Sequence, residues 1–308
     1  MNSPLLTVAR QQGGLVTYRQ ARGLGWSRSS LDRFLAGMGW TRVIDGVYLE
    51  PGRTVDFPLE IRARQLANPD LVAARSAAAV VLGVAGLRPR LEFISGDAGH
   101  RSARGMVHRE ALRPDEVTVV DGIRATTPLR TVLDVLRHCL SGDGAVAVLD
   151  SALRSGSVQL DAIAAGLIDA RARRGVVTAW RRFAAADPKA ESVLETLARL
   201  RMREAGMRPL SQVLVPTANG RQVRLDFLVD GVGVELEGAR YHGGIVEHQQ
   251  DVRRFNLIAG AGQGIPILRF TWDDVVRHPV AMVATIRATI AGLPSARQPI
   301  ANPSGRLC

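Results

Sequence analysis

Alternating apolar and polar residues predict a β-hairpin over residues 223–237, in the segments VRLDFLV and VGVELE. The intervening Asp230-Gly231 pair is a strong signal for a two-residue hairpin turn. This turn places Asp226 directly opposite Glu235. Because side chains alternate between the two faces of a sheet, each face has its own set of residues. The pattern puts Leu225, Phe227, Val234 and Leu236 on one face, and Asp226, Glu235 and Glu237 on the other.

A second pattern, at the amino terminus, predicts two short helices followed by another hairpin. Thr17 and Ser27 are suited to cap the helices, and Gly23-Leu24 marks a tight turn between them. A pair of short helices joined by a glycine-containing turn is typical of a helix-turn-helix. The segment WTRVIDGVYLEP then alternates around Asp45-Gly46, which predicts a winged variant of this fold.

The remaining pattern divides the chain into further segments. Helical and strand-like stretches alternate over the middle region, and Asp187 and Pro188 interrupt a basic helical stretch after it. A helix, strands, helix, strand, helix order follows, which indicates a compact α/β unit. We therefore expect a multidomain α/β protein. Its predicted parts are a winged helix-turn-helix at 1–53, an α/β middle region at 54–184, an α/β domain at 185–295 and a flexible tail at 296–308.

The charge of the chain favours polyanionic partners. The formal net charge is +11 and the pI is about 11.1, so nucleic acid is the first partner to consider. A competing interpretation is that the high arginine content reflects the base composition of the gene and not a partner. Only Lys189 is a lysine among forty basic residues, and the chain is rich in alanine, glycine and valine, as GC-rich coding would produce.

Other features narrow the class of protein. The longest apolar run, residues 77–87, is interrupted by glycines and is too short for a membrane span. The first residues lack a charged-then-apolar leader. The two cysteines, Cys139 and Cys308, favour neither a disulfide framework nor a cysteine-rich zinc site. We expect a soluble cytoplasmic protein without a membrane partner, and we assign no chemistry to His100 or His108.

The opposed acids of the hairpin suggest a cation site. Two carboxylates directly across a strand pair repel each other unless positive charge lies between them. Mg²⁺ binds carboxylate oxygens together with water and phosphate, and it can activate water against a phosphodiester. The alternative is a solvated charged face, in which Arg224 lies opposite Glu237 and offsets the repulsion.

The order of acids around the hairpin resembles the very-short-patch-repair-like branch of the PD-(D/E)XK nuclease superfamily, over about residues 190–280. The signature of that branch runs ES-x-x-E, RxDF, ExDG-x-x-xH, D-x-x-R and LRFTW. The matching residues here are Glu191, Ser192, Glu195, Arg224, Asp226, Phe227, Glu235, Glu237, Gly238, His242, Asp251, Arg254 and residues 268–272.

This resemblance implies a restriction-endonuclease-like fold and a set of roles. Asp226 and Glu235 would be the principal Mg²⁺ ligands, with Mn²⁺ as a substitute, and Glu195 would be an accessory acid and ligand. Glu237 stands where the superfamily has lysine and this branch usually has aspartate. Glu237 would still belong to the catalytic set, and water activation would also involve a second metal, His242 or Arg254.

Further residues are expected to contact DNA. Arg254 and Gln250 share a face of a predicted helix over 246–259 and would bind phosphate or position the acids. The segments GWSRSSLDR and GWTRVIDGVY resemble the winged helix-turn-helix of AbiEi-type antitoxins and transcriptional regulators. In that fold the second helix enters the major groove. The expected contacts are Arg28, Ser29, Ser30, Arg33 and Arg42.

The sequence therefore predicts a Mg²⁺-dependent DNA endonuclease with a DNA-binding winged helix. The alternative is an antitoxin-like transcriptional regulator whose degenerate nuclease fold serves DNA binding or assembly, with a cognate toxin or a second copy as partner. The departure at Glu237 motivates this alternative. RNA is a third possible substrate.

Overall fold

The computed structural model describes residues 4–96, 106–216, 222–237 and 265–293, and these form a mixed α/β protein. The chain divides into two compact units, residues 1–184 and residues 185–308. None of the helices in the described ranges is long and apolar enough to cross a membrane.

The first unit begins with three helices and a three-stranded sheet ordered β1-β3-β2. The elements are α1 (Pro4–Gln11), β1 (Leu15–Thr17), α2 (Tyr18–Gly23), α3 (Arg28–Gly37), β2 (Thr41–Ile44) and β3 (Val47–Leu49). The predicted caps of the two short helices are confirmed. The Thr17 side chain accepts from the backbone N–H of Gln20, and the Ser27 side chain accepts from that of Ser30. Leu31 and Leu35 of α3 are buried against α1 and β1, as their spacing predicts.

The rest of the first unit carries, within its described residues, a five-stranded mixed sheet ordered β6-β5-β4-β8-β7. Its elements are α4 (Phe57–Ala67), β4 (Val72–Ala73), α5 (Arg75–Val81), β5 (Glu92–Ser95), β6 (Met106–Arg109), β7 (Val117–Val120), β8 (Ile123–Thr126), α6 (Pro128–His138), α7 (Gly142–Arg154), α8 (Leu160–Asp169) and α9 (Val176–Phe183). Thr127 lies at the cap position of α6, as predicted, but its side chain makes no capping hydrogen bond. Pro128 lies in the first turn, where its fixed φ favours the start of a helix.

A polar network centred on α6 lies beside the five-stranded sheet of the first unit. Arg130 is 6% exposed and donates to Asp134 (2.8 Å), Glu116 (3.0 Å) and Glu110. Burial opposes its charge, but the neighbouring carboxylates outweigh burial and raise the pKa of Arg130. Arg130 therefore joins α6 to the strand region of the sheet through ionic hydrogen bonds.

His138, at the end of α6, makes the stability of the first unit depend on pH. Burial lowers the pKa of His138 to about 4, with the charges of Arg75 and Arg137 and the proximity of His108 adding to this effect and Glu110 opposing it. The unfolded chain, with an ordinary histidine pKa of 6.5, takes up a proton first as the pH falls. The stabilising contribution is therefore complete above pH 6.5 and decreases between pH 6.5 and pH 4.

We expect the free energy of unfolding of the wild type to fall over this pH range by up to ~1.4 kcal/mol per pH unit from His138 alone. Denaturant titrations of the wild type and of His138→Gln at pH 7.5 and pH 4.5 measure it. Because other acids titrate in both proteins, the difference between them isolates His138. The variant should lose less stability than the wild type on acidification. Equal losses would contradict this assignment.

The second unit has a four-stranded sheet in its described residues, ordered β12-β11-β10-β9. Its elements are α10 (Val193–Glu204), β9 (Leu210–Pro216), β10 (Gln222–Val229), β11 (Val232–Glu237), β12 (Ile267–Thr271), α11 (Trp272–Val276) and α12 (Pro279–Ala291). β11 and β12 are parallel, and the other pairs are antiparallel. Apolar residues of α10, α11 and α12 pack on one face of the sheet around Phe227 and Val234. The predicted helix over 246–259 lies outside the described residues.

Candidate functional site: the carboxylate cluster of the second unit

The hairpin of β10 and β11 has the predicted turn and the predicted register. Asp230 and Gly231 both have left-handed backbone conformations, with φ of 45° and 87°. This is the geometry of a type I′ turn, and the glycine adopts it without strain. The pairs are Val229 with Val232, Leu228 with Gly233, and Phe227 with Val234. Continuing this register by one residue brings Asp226 opposite Glu235.

The predicted division of the hairpin between two faces is wrong at one position. Phe227 and Val234 pack against the helices, with Leu236 beside them, but Leu225 packs with Val215 and Leu228 instead. A Cβ placed on Gly233 would lie 3.1 Å from Leu225 Cδ1, on the side opposite to the helices. The alternation of side chains is therefore broken between Leu225 and Phe227, at Asp226.

Hydrogen bonds at Asp226 explain this break and also how the two acids are tolerated together. The backbone N–H of Leu236 donates to Asp226 Oδ2 at 2.8 Å. The backbone N–H of Asp226 donates to Glu235 Oε1 at 3.3 Å. Each carboxylate thus accepts from the backbone of the opposite strand, and such donors stabilise the ionised form. These backbone N–H groups offset part of the repulsion between the two acids.

Glu195 brings a third carboxylate to this position from α10. Its helix begins after Ser192, whose side chain accepts from the Glu195 N–H at 3.1 Å. Glu195 is 6% exposed, and its Oε2 accepts from the backbone N–H of Glu191 at 2.8 Å. Burial raises the pKa of Glu195, and the charge of Asp226 raises it further, while its hydrogen bonds lower it. Glu191 lies just before the first turn of α10.

Gln212 of β9 is a fourth member of the cluster, which sequence reasoning missed. It lies between the strand pairs Leu225–Val213 and Phe227–Ser211, and therefore stands across from Asp226. Its amide Nε2 donates to Glu195 Oε2 at 2.8 Å. Its Oε1 is buried and has no hydrogen-bond partner within the described part of the chain. A polar residue in the strand segment LSQVLV was the available signal, but only the register of β9 connects it to the acids.

The backbone of Gln212 is unusual for a strand residue. Its φ is +55°, in the left-handed region, which costs a side chain larger than glycine roughly 1–2 kcal/mol. The residues on either side of Gln212 pair with those on either side of Asp226, but Gln212 and Asp226 do not pair with each other. The sheet is therefore locally distorted at the point where the polar side chains meet.

Two exposed ion pairs flank the cluster. They show that the predicted pairing of Arg224 with Glu237 is wrong. Arg224 donates to Glu191 at 2.7 Å, rather than to Glu237 as its place in the hairpin suggested. Glu237 contacts Arg269 of β12 at 2.9 Å. The pairing of β12 with β11 brings Arg269 beside Glu237. All four side chains are between 39% and 51% exposed, so solvent screens both pairs.

The donors of the cluster suit a hard divalent cation by their chemistry, since Glu195, Asp226, Glu235 and Gln212 all present oxygen atoms. They do not form a closed cage: no group of three or more His, Cys, Asp or Glu side chains in the described residues is arranged to hold a metal ion. Three predicted site residues, His242, Gln250 and Arg254, lie outside the described ranges.

The predicted DNA-contacting residues of the first unit lie at the start and outer face of α3 and on β2. Arg28, Ser29 and Arg33 are exposed, and the Arg28 guanidinium lies 5.7 Å from the centroid of the Tyr18 ring. Arg33 Nε donates to the backbone oxygen of Ser29 at 3.3 Å. Ser30 is half-buried and part of the cap, because its hydroxyl donates to the Ser27 backbone oxygen. Arg42 is exposed, 3.7 Å from Asp45.

Comparisons with known proteins add little about activity. No family model matches the chain. "Uncharacterized protein MT2308" and "Uncharacterized protein Rv2248", from the CDC 1551 and H37Rv strains of Mycobacterium tuberculosis, are each 34% identical to it over 182 residues. The match covers 56% of this chain and 66% of each relative, which is just under two thirds of their length.

Proposed function

We propose that this protein is a divalent-cation-dependent DNA endonuclease, with the carboxylate cluster of the second unit as its active site and the amino-terminal helices as a DNA-binding module. One observation carries the proposal. Acids from two separate elements, α10 and the β10–β11 hairpin, lie near one another at a distorted point of the sheet. Gln212, across from Asp226, donates to Glu195, and the charge of Asp226 raises the pKa of the buried Glu195. Clustered acids with perturbed pKa values are typical of catalytic sites.

The order of elements supports the resemblance to PD-(D/E)XK nucleases. A helix carrying one acid precedes an antiparallel three-strand meander, and the hairpin of that meander carries the two other acids. A parallel strand with the sequence LRFT then joins the hairpin edge. In the first unit, the order helix, strand, helix, helix, strand, strand with a β1-β3-β2 sheet supports a winged helix-turn-helix.

The residues of the cluster have distinct tasks in this proposal. Asp226 and Glu235 would hold the cation, with Glu195 as an accessory acid. The backbone N–H groups of Glu191 and Leu236 orient the carboxylates of Glu195 and Asp226. A bound Mg²⁺ ion would supply Lewis acidity for hydrolysis of a phosphodiester.

The direct test is incubation of the purified full chain with supercoiled plasmid, linear duplex DNA, single-stranded DNA and RNA at matched salt. We expect nicking or cleavage of DNA with Mg²⁺ or Mn²⁺, and none with EDTA. Cleavage of RNA alone would change the substrate class. Absence of cleavage of all four nucleic acids with either cation would refute the nuclease proposal.

A regulator without nuclease activity is the second candidate function. Two observations favour it: the described acids form no closed metal cage, and the Glu237 position is occupied by an acid paired with Arg269. In this case the second unit would contribute to DNA binding, to self-association or to contact with a cognate toxin. Calorimetry separates the candidates, because a degenerate site would show no Mg²⁺ or Mn²⁺ binding that Asp226→Ala removes.

Both candidates require DNA binding by the first unit. We expect Arg28→Ala combined with Arg33→Ala to weaken binding to duplex DNA. The slope of log K against log salt should decrease by ~1 for each of the two arginines that neutralises a phosphate in the wild type. Fluorescence anisotropy with a labelled duplex in Mg²⁺-free buffer, over a series of salt concentrations, measures this slope.

A matched control for these arginines is Arg113→Ala, which removes an exposed arginine paired with Asp115 outside the helical module. Its affinity and slope should stay at the wild-type values. If both variants lower the slope equally, binding depends on total charge and not on α3.

A further inference from the structure

The last helix of the first unit, α9, presents a tryptophan to solvent. Val177, Trp180 and Arg181 lie on its outer face at helical spacing, and Trp180 is 37% exposed. The Trp180 ring packs against Phe183 in a T-shaped contact, with a centroid distance of 5.5 Å and an interplanar angle of 84°. An exposed indole supported by a neighbouring ring is suited to stack on a planar partner.

The surroundings of Trp180 along the chain are strongly basic. Residues 170–186 include five arginines and neither aspartate nor glutamate. Four of the five are exposed, and within the described part of the chain their side chains form no ion pair. These four are Arg171, Arg173, Arg174 and Arg181. The rise along α9 from Gly175 to Trp180 is only about 8 Å, so the arginines of the preceding turn lie near the ring.

Contacts with α6 hold this turn and the helix in place. The fifth arginine, Arg182, donates to two backbone oxygens at the end of α6, both at 2.7 Å. Arg137 Nε donates to the backbone oxygen of Arg174 at 3.2 Å. Gly175 has a φ of 84°, and a Cβ there would lie 2.4 Å from the Arg137 oxygen. The basic surface is therefore pre-organised, which reduces the entropy that a ligand must overcome.

We propose that the outer face of α9 and the turn before it, the α9 surface, bind single-stranded nucleic acid. The α9 surface consists of Arg171, Arg173, Arg174, Val177, Trp180 and Arg181. Proteins that bind single strands combine positive charge along the backbone with aromatic side chains on which exposed bases stack. Planar guanidinium groups also match the geometry of phosphate oxygens.

Two features distinguish this partner from other polyanions. A duplex keeps the faces of its bases stacked inside, so it would use the arginines but not the ring of Trp180. The exposed apolar side chains of α9, Val177 and Trp180, are fewer than the broad apolar face of a membrane-surface helix requires. The site lies apart from α3 in the chain and does not depend on the nuclease proposal.

Fluorescence anisotropy of a labelled oligo(dT) strand, with the full chain in EDTA buffer, tests the proposal. EDTA prevents metal-dependent cleavage, so the result is independent of nuclease activity. We expect Trp180→Ala to weaken binding at least ~5-fold, the lower end of the loss when one stacking side chain is removed. Trp180→Phe keeps an aromatic ring and should remain within ~3-fold of the wild type. The matched control is Leu160→Ala in α8, a 40% exposed apolar side chain whose removal should leave the affinity unchanged.

A second variant tests the arginines and does not alter the ring. Arg173→Ala combined with Arg174→Ala should lower the slope of log K against log salt by ~0.7 for each arginine that neutralises a phosphate of a single strand. Arg113→Ala, an exposed arginine outside the α9 surface, should keep the wild-type slope. Thermal unfolding checks every variant, and the exposed arginine pair carries the test if Trp180→Ala does not fold.

The outcomes either support or overturn the proposal. Wild-type protein with no affinity for oligo(dT) at low salt overturns it, as do unchanged binding by Trp180→Ala or an equal loss in Leu160→Ala. Equal losses for oligo(dT) and for duplex DNA in Trp180→Ala would assign the surface to a duplex and overturn it. Binding to phosphatidylglycerol vesicles that Trp180→Ala abolishes, with oligo(dT) binding unchanged, would assign it to a membrane. A selective loss for oligo(dT) that phenylalanine restores supports the proposal.

Discussion

Asp226→Asn is expected to reduce DNA cleavage by at least ~10²-fold, the loss typical when one preorganised charge-stabilising group is removed from an active site. Asp226 is central because its carboxylate lies across from Glu235 in the hairpin register and acts electrostatically on Glu195. Asparagine retains an oxygen that can accept the Leu236 N–H, so the hairpin should keep its geometry. Initial rates of plasmid nicking in Mg²⁺ measure the effect, with thermal unfolding to verify the fold.

The matched control is Glu237→Gln on the neighbouring strand. It also removes one carboxylate charge, but this carboxylate is bonded to Arg269 and is 44% exposed. We expect a loss of less than ~10-fold, because solvent screens exposed charges. Wild-type cleavage rates in Asp226→Asn would contradict the assignment of the active site. Equal losses in both variants would indicate that total negative charge, and not the cluster, governs the rate.

Arg130→Met is expected to lower the free energy of unfolding by about 3–5 kcal/mol, the usual cost of removing one partner from a buried ionic network. The arginine is 6% exposed and donates to Asp134, Glu116 and Glu110, and Asp134 is 1% exposed. Methionine fills a similar volume but leaves these carboxylates without their main counter-charge. Denaturant titration of the full chain, monitored by circular dichroism, measures the loss in the first unit.

Two comparisons make this result interpretable. Arg113→Gln removes another arginine near Glu116, but Arg113 is 72% exposed, so its midpoint should match that of the wild type. The double variant Arg130→Met, Asp134→Leu removes both charges of the closest pair and should recover part of the stability. A midpoint unchanged in Arg130→Met would show that the network contributes no stability.

The local structure of the hairpins could be predicted from sequence because turn chemistry and alternation act over a few residues. Asp230-Gly231 accepts a left-handed turn and sets the register, and this alone is sufficient to place Asp226 across from Glu235. The caps at Thr17 and Ser27 are equally local, since each side chain bonds a backbone N–H three residues on. The mixed α/β character of the chain follows from such elements taken together.

Contacts between distant segments could not be predicted in the same way. The register of β9 on β10 depends on packing across a loop, so no local pattern indicates that Gln212 meets Asp226 and Glu195. The break in alternation at Leu225 could not be predicted either. It accompanies hydrogen bonds at Asp226 in which a carboxylate of one strand accepts from a backbone N–H of the other. Similarly, the partners of Arg224 and Glu237 depend on where Glu191 and Arg269 arrive in space.

The short segment before α10 bears on how the second unit should be isolated as a fragment. Arg199 of α10 is fully buried, donates to the backbone oxygen of Ala185 at 2.6 Å and lies 3.5 Å from Asp187. Asp187 in turn accepts from the Ser211 hydroxyl of β9. A truncated chain that starts at Glu191 would retain every acid of the cluster yet bury a guanidinium stripped of these acceptors. Expression boundaries placed at or before residue 184 preserve them.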